Sequence, residues 1–141
     1  MASFMPDARV HLLDIPTLDD DHLALGHIIA ELELLGENNA SGTVVANVIA
    51  RLIAAARLHF AREEEIMAHE AYPFLACHRE SHCQLIEFIE DLAGQLSSGR
   101  ITLNKKVIAG LWDWEITHID TADRDYAEYA KNRKPAPVTS G

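Results

Sequence analysis

The feature that most constrains this chain is an apolar repeat of three and four residues, which recurs in four segments separated by short polar breaks. The repeat predicts amphipathic helices over about 18–35, 43–68, 73–96 and from Thr102 to about 130. Pro73 suits a first helical turn and Thr102 an N-cap. Because short loops join neighbouring helices, the predicted fold is all-α, an antiparallel up-down-up-down four-helix bundle with an N-terminal arm.

The positions of the prolines and of the polar breaks between helices also predict the domain organisation. Residues 1–17, with two prolines, form the expected N-terminal arm, and residues 18–130 form a single four-helix domain. Residues 131–141 again contain two prolines and are expected to be a flexible C-terminal tail. A chain of 141 residues with 48% hydrophobic residues is long enough to bury one core.

Charge and cysteine spacing restrict the partners and the compartment. The formal net charge of −10 argues against binding to nucleic acid and to anionic membrane surfaces. The N-terminus lacks the layout of a signal peptide, and no apolar run reaches the length of a membrane span. Cys77 and Cys83, read as small buried fillers, would lie ~9 Å apart along one helix, too far for a disulfide. We therefore expect a cytoplasmic protein, monomeric, whose protein partner is unknown.

Each predicted helix carries metal-ligand residue types on its apolar seam. Residues four apart on a helix share a face, whereas residues five apart differ by ~140°, so Asp123 approaches from the flank of the seam. Imidazole together with carboxylate suits iron, manganese or zinc, and two carboxylates that bridge fit a pair of metals better than one. Histidines satisfied by carbonyls or water are the alternative, but buried unpaired acids would then cost several kcal/mol. The candidate metal ligands are His22, His59, Glu63, His78, His82, His118 and Asp123.

These residues stand in motifs that resemble bacterial hemerythrin, a member of the hemerythrin-like HHE cation-binding family. The motifs are Leu18-Asp19-Asp20-Asp21-His22, His59-Phe60-Ala61-Arg62-Glu63, His78-Arg79-Glu80-Ser81-His82 and Trp114-Glu115-Ile116-Thr117-His118 with Asp123. The resemblance covers about 18–126 and implies two Fe ions, a di-iron centre with an oxo or hydroxo bridge. It implies that His78, His82 and His118 hold one iron and that His22 and His59 hold the other. Glu63 and Asp123 would bridge them, and O₂ would bind at the two-histidine iron.

Two positions depart from the family pattern. Glu115 replaces a usually apolar residue and lies ~60° from His118 on a helical wheel, which predicts an extra ligand or a pocket acid. The alternative is that Glu115 reaches solvent from the edge of the seam. Gly26 replaces a residue that is often Phe, which predicts pocket space opposite Glu115; the alternative is simple drift at a helix contact. Glu115 and His118 also form a single Glu-x-x-His pattern, of which carboxylate di-iron proteins have two.

The predicted function is binding of O₂, or of a related small diatomic or peroxide ligand, for oxygen carriage, storage or sensing. The alternative is a di-iron enzyme of the peroxidase, oxidase or nitric oxide reductase type, in which Glu115 modifies the open iron site. No residue of the sequence is assigned a catalytic role.

Overall fold

The computed structural model describes residues 9–133, which are almost entirely helical. Helix α1 spans Pro16–Glu37, α2 Gly42–His69, α3 Leu75–Ser97 and α4 Lys105–His118. A π-helical segment, Ile119–Asp123, then continues α4 into α5, Arg124–Asn132. Helix α1 packs against α2 and α4, and α2 packs against α3. With no strand among the described residues, the predicted all-α four-helix bundle is confirmed, while the up-down order of its helices stays a prediction.

Side-chain caps begin two of the helices. Ser41 Oγ accepts a hydrogen bond from the Val44 N–H at 3.4 Å at the start of α2, and Asn104 Oδ1 accepts one from the Val107 N–H at 3.0 Å at the start of α4. Each cap satisfies one of the backbone donors that a helix leaves unpaired in its first turn. The prediction that Thr102 caps the fourth helix is wrong, because the chain stays extended for two further residues and Asn104 takes that role.

The other predicted boundaries shift by a few residues. Helix α1 begins at Pro16, where the missing N–H costs nothing. Pro73 lies in the turn before α3, which begins at Leu75, so its predicted place in the first helical turn is wrong. Helix α5 extends to Asn132, into the range predicted as tail. Residues 1–8 of the expected arm and residues 134–141 of the expected tail lie outside the described part of the chain.

The core runs along the shared axis of the four long helices. Seven of its largest fully buried aliphatic side chains come from α1, α2, α3 and α4, in agreement with the predicted seams. Burying each such side chain contributes about 1.5–3 kcal/mol, so the core supplies the main stabilisation of the bundle. The residues are Leu25, Ile29, Leu32, Ile49, Leu52, Ile89 and Leu111.

The residues before α1 pack on the bundle. Val10 and Leu13 are 5% and 1% exposed. The guanidinium of Arg9 lies 3.9 Å from the centre of the Trp112 ring, within the range of a cation–π interaction. A Cβ atom at Gly26 would lie 2.5 Å from Val10 Cγ2 and 3.5 Å from the Trp112 ring. The space over Gly26 is therefore filled by Val10 and Trp112 instead of lying open as pocket space.

Helix α2 is long and apolar enough to cross a membrane by length and composition alone, the one such helix among residues 9–133. Its mean hydropathy reaches 1.5 over 18 residues. The same helix buries Val45, Ile49, Leu52 and Phe60 against its neighbours, as a core helix of a bundle does.

The two cysteines are both free and exposed. The absence of a disulfide between Cys77 and Cys83 agrees with their predicted separation along α3. Their predicted burial is wrong, because both side chains turn away from the seam that carries His78 and His82.

Candidate metal centre

The structure brings all seven predicted ligand residues together in the core. Each is at most 6% exposed. Their ligand atoms form two groups, and within each group the atoms lie within 4.8 Å of one another. One group contains His78, His82, His118, Glu63 and Asp123, and the other contains His22, His59, Glu63 and Asp123.

The two carboxylates belong to both groups and direct one oxygen to each. Glu63 Oε1 lies 2.8 Å from His78 Nε2, and Glu63 Oε2 lies 2.9 Å from His59 Nε2. Asp123 Oδ1 lies 3.0 Å from His78 Nε2, and Asp123 Oδ2 lies 2.9 Å from His22 Nε2. A carboxylate placed in this way can bridge two metal ions, one on the three-histidine side and one on the two-histidine side.

Unpaired polar atoms at the centre of this cluster show that its residues fit metal ions. Several of these atoms lie within hydrogen-bond distance of a neighbouring polar atom, but the angle at the donor does not suit a hydrogen bond. Buried polar atoms without a partner are rare, because each costs about 1–3 kcal/mol. Coordination of metal ions, one in each group, would satisfy them all. The unpaired atoms are Nε2 of His22, His59 and His118, Oε2 of Glu63, and both carboxylate oxygens of Asp123.

In the metal-free protein, protonated histidines offset the negative charges of Glu63 and Asp123. Burial alone would lower the pKa of His22 and of His118, but the carboxylates of Asp123 and Glu63 raise both to about 10. Burial alone would raise the pKa of Glu63 and Asp123, but the surrounding histidines hold both well below their usual range. Because metal ions need neutral imidazole, loading the site must release protons.

The π-helical segment explains how Asp123 reaches the centre. In α-helical geometry Asp123 would point ~140° away from His118, as predicted. A π-helix pairs residues five apart, so residues 118 and 123 come to the same face one turn apart. Asp123 Oδ1 consequently lies 3.1 Å from His118 Nε2. The predicted approach from the flank is therefore wrong, because the helix changes its winding between these two ligands.

Two further acids orient the ligands from outside, and the sequence analysis did not identify them. His59 Nδ1 donates to Asp21 Oδ2 at 3.0 Å, and Arg62 holds the other oxygen of Asp21 at 3.0 Å. His82 Nδ1 donates in the same way to Glu64 Oε2 at 2.7 Å. Such hydrogen bonds fix the ring orientation and leave Nε2 free to bind metal.

Aromatic packing closes the cluster from one side. The ring of Phe60 stacks on His82 with 4.0 Å between ring centres and 7° between ring planes. Phe60 also contacts His59 and His118, with ring centres 5.6 and 5.7 Å away. One apolar residue thus packs against histidines of both ligand groups.

Glu115 lies inside the bundle. Its side chain is 4% exposed and its Oε2 has no hydrogen-bond partner. Burial raises the pKa of Glu115 to about 7, against the lowering effect of His22 and His59. The alternative that Glu115 reaches solvent is therefore excluded.

Bundle and cluster together define a class, that of helical proteins with a metal site of histidine and carboxylate residues in the core. The sequence model described as Hemerythrin HHE cation binding domain matches residues 13–130, and the chain belongs to this family. It is 25% identical to a bacteriohemerythrin of Ralstonia nicotianae over 126 residues, which cover 89% of this chain and 88% of that protein. It is also 25% identical to a bacteriohemerythrin of Stenotrophomonas maltophilia, over 84% of this chain and 76% of that protein.

Proposed function

We propose that this protein holds two iron ions in its core and binds O₂, or a related small oxidant, for oxygen carriage, storage or sensing. The observation that carries the proposal is the sharing of Glu63 and Asp123 between two groups of histidines. A single metal ion would use only one oxygen of each carboxylate and leave the second group of ligand atoms unsatisfied. Iron is the metal that membership of the hemerythrin family favours.

The two sides of the centre differ in the number of ligands that the chain supplies. Three histidines and two carboxylates would hold one iron ion, whereas two histidines and the same two carboxylates would hold the other. The two-histidine side therefore has fewer protein ligands and is the side on which a small molecule can bind. The iron ions would supply the electrons that O₂ accepts, while the buried histidines and Phe60 restrict entry of water.

An absorption experiment tests this proposal. The protein is loaded with ferrous iron without oxygen and is then exposed to O₂. We expect a charge-transfer band that persists and that is lost when O₂ is removed, because binding is reversible in a carrier. A His22→Ala variant, which removes one ligand of the two-histidine side, should lose the band. An unchanged spectrum of the parent protein on addition of O₂ would contradict the proposal.

A second candidate function is a di-iron enzyme of the peroxidase, oxidase or nitric oxide reductase type. The buried carboxyl group of Glu115 favours it, since an acid close to the ligand site can deliver a proton. In that case the new absorption should decay rapidly to that of the ferric protein. We further propose a cytoplasmic, monomeric protein without a nucleic-acid partner, in keeping with the net charge of −10.

A further inference from the structure

A cavity of about 1200 Å³ lies at the end of the bundle away from the metal centre. The end of α1, the start of α2, the end of α3 and the start of α4 surround it, together with the loop that joins α3 to α4. None of the seven metal ligands lines it. Its volume exceeds the roughly 300–1,000 Å³ of a typical small-molecule site, so an elongated molecule fits. The apolar part of the lining includes Val45, Ile49, Ile53, Leu96 and Ile108.

The indole N–H of Trp112 is an unsatisfied donor in the wall of this cavity. Trp112 lines the cavity and is 6% exposed, and its Nε1 has no hydrogen-bond partner among residues 9–133. The six-membered ring of Trp112 packs towards Gly26 on α1 through Cζ3 and Cη2, so the five-membered ring with Nε1 points away from that contact. A buried donor without a partner is costly, because it has given up its hydrogen bond to water. A ligand with an acceptor group would remove that cost.

Positive charge is concentrated on the same side of the cavity. Lys105 lines the cavity from the first turn of α4, on the same helix face as Trp112 and ~10 Å from it along the axis. The chain contains 22 acids, but none lies from residue 92 to 112, and Arg100, Lys105 and Lys106 form no ion pair among residues 9–133. Two lysines in a first helical turn are unfavourable, because that end of a helix is itself positive. A bound anion would offset this repulsion.

Three acids also line the cavity, but they do not reverse this preference. Glu33 Oε1 pairs with Arg9 Nη2 at 2.9 Å, and the guanidinium of Arg9 lies over the Trp112 ring. Glu37 and Asp113 lie exposed at the rim, where dissolved ions screen their charge. An ammonium head group could not accept a hydrogen bond from the indole N–H, whereas a carboxylate only accepts. The head group that fits is therefore an anion.

We propose that this cavity binds a single-chain amphiphile that ends in a carboxylate, with its apolar chain against Ile49 and Ile108 and its carboxylate between Trp112 and Lys105. The indole N–H and the ammonium group of Lys105 both donate to the carboxylate, and hydrogen bonds to a charged acceptor are the stronger kind. The flexible lysine side chain spans the distance that remains between the two residues. None of these residues belongs to the metal centre, so this site is independent of the di-iron function proposed above.

Calorimetric titration of the iron-loaded protein with dodecanoate, kept below the concentration at which it forms micelles, tests the proposal. We expect saturable binding of one dodecanoate per chain. Ala50→Trp adds a large side chain to the lining at an exposed position of α2 and should weaken the binding at least about 10-fold. Ala54→Trp, one turn further along α2 at an exposed position outside the lining, is the matched control and should bind dodecanoate as the parent does.

Three comparisons test the head-group site. Trp112→Phe, which keeps an aromatic ring and loses the N–H, should weaken dodecanoate binding about 10-fold. Lys105→Gln should weaken it several-fold, whereas Lys106→Gln, outside the lining, should not. Dodecyltrimethylammonium, a cation of equal chain length, should bind to the parent at least about 10-fold more weakly than dodecanoate. Equal binding of the two amphiphiles, or of dodecanoate to Trp112→Phe and the parent, would overturn the proposal.

Absence of dodecanoate binding by the parent would also overturn it. So would a dimer of the parent in sedimentation analysis that Ala50→Trp dissociates, because a second copy of the chain would then occupy the cavity. The iron content and the circular dichroism of each variant, measured alongside, should equal those of the parent, since the cavity and the metal centre share no residue.

Discussion

Replacing Glu115 by Leu should stabilise the metal-free protein, and the gain should depend on pH. Burial raises the pKa of Glu115 from its ordinary value of 4.5 to about 7. A carboxyl group whose pKa is raised on folding binds its proton more tightly in the folded state, so the parent loses stability as pH rises from about 4.5 to about 7. Since one pKa unit corresponds to about 1.36 kcal/mol, the loss at pH 8 amounts to about 3 kcal/mol.

Urea denaturation of parent and Glu115→Leu at pH 4.5, 6 and 8 measures this difference. The free energy of unfolding of the variant should exceed that of the parent by an amount that grows by about 3 kcal/mol between pH 4.5 and pH 8. At pH 8 this corresponds to a midpoint of thermal unfolding that is roughly 10 °C higher in the variant. The pH dependence of the parent alone is not informative, because His22 and His118 also titrate with folding. Glu87→Leu, a change of an exposed acid on α3, serves as the control, and its free energy of unfolding should equal that of the parent at each pH. A Glu115→Leu curve that parallels the parent at every pH would refute the assignment of a buried, proton-retaining acid.

Three other perturbations test separate parts of the account. Glu64→Ala should lower the affinity for metal by about 10–100-fold, because His82 loses its orienting acceptor, whereas Glu65→Ala should not; equal effects in a metal-chelator competition would contradict this role. Gly26→Ala should cost about 1–3 kcal/mol in chemical denaturation, because the new Cβ would meet Val10; a gain in stability, as Ala normally gives in a helix, would show that the contact yields easily. A fluorescence-anisotropy titration should detect no binding of DNA at physiological salt, since the net charge is −10; a salt-sensitive rise in anisotropy would oppose this expectation.

Much of the fold follows from the sequence, because the spacing of the apolar residues shows which face of each helix is buried. Ile29, Leu52 and Leu111 stand on the predicted seams and are buried in the structure. The same spacing placed six of the seven candidate ligands on those seams and Asp123 at the flank, and the structure brings all seven into one cluster. Helix ends were predicted less well, because Thr102 and Asn104 are both good caps and only the path of the chain decides between them.

The features that escaped the sequence analysis depend on geometry that local patterns do not record. The π-helical winding of 119–123 is rare, and no residue type in that segment marks it. The contacts of Asp21 with Arg62 and His59 join helices distant in sequence, so their role appears only when the helices are assembled. Likewise Val10 lies in a segment predicted as an arm, and nothing in the sequence indicates that it covers Gly26.

The metal content of the purified protein tests the central claim most directly. Protein loaded with excess ferrous iron and freed of unbound metal should contain two iron ions per chain, because Glu63 and Asp123 each offer one oxygen to each side. Asp123→Asn should retain less iron than the parent, while Asp113→Asn, a change of an exposed residue on α4, should retain as much. One iron ion per chain, or none, in the parent protein would contradict the claim that the shared carboxylates bridge a di-iron centre.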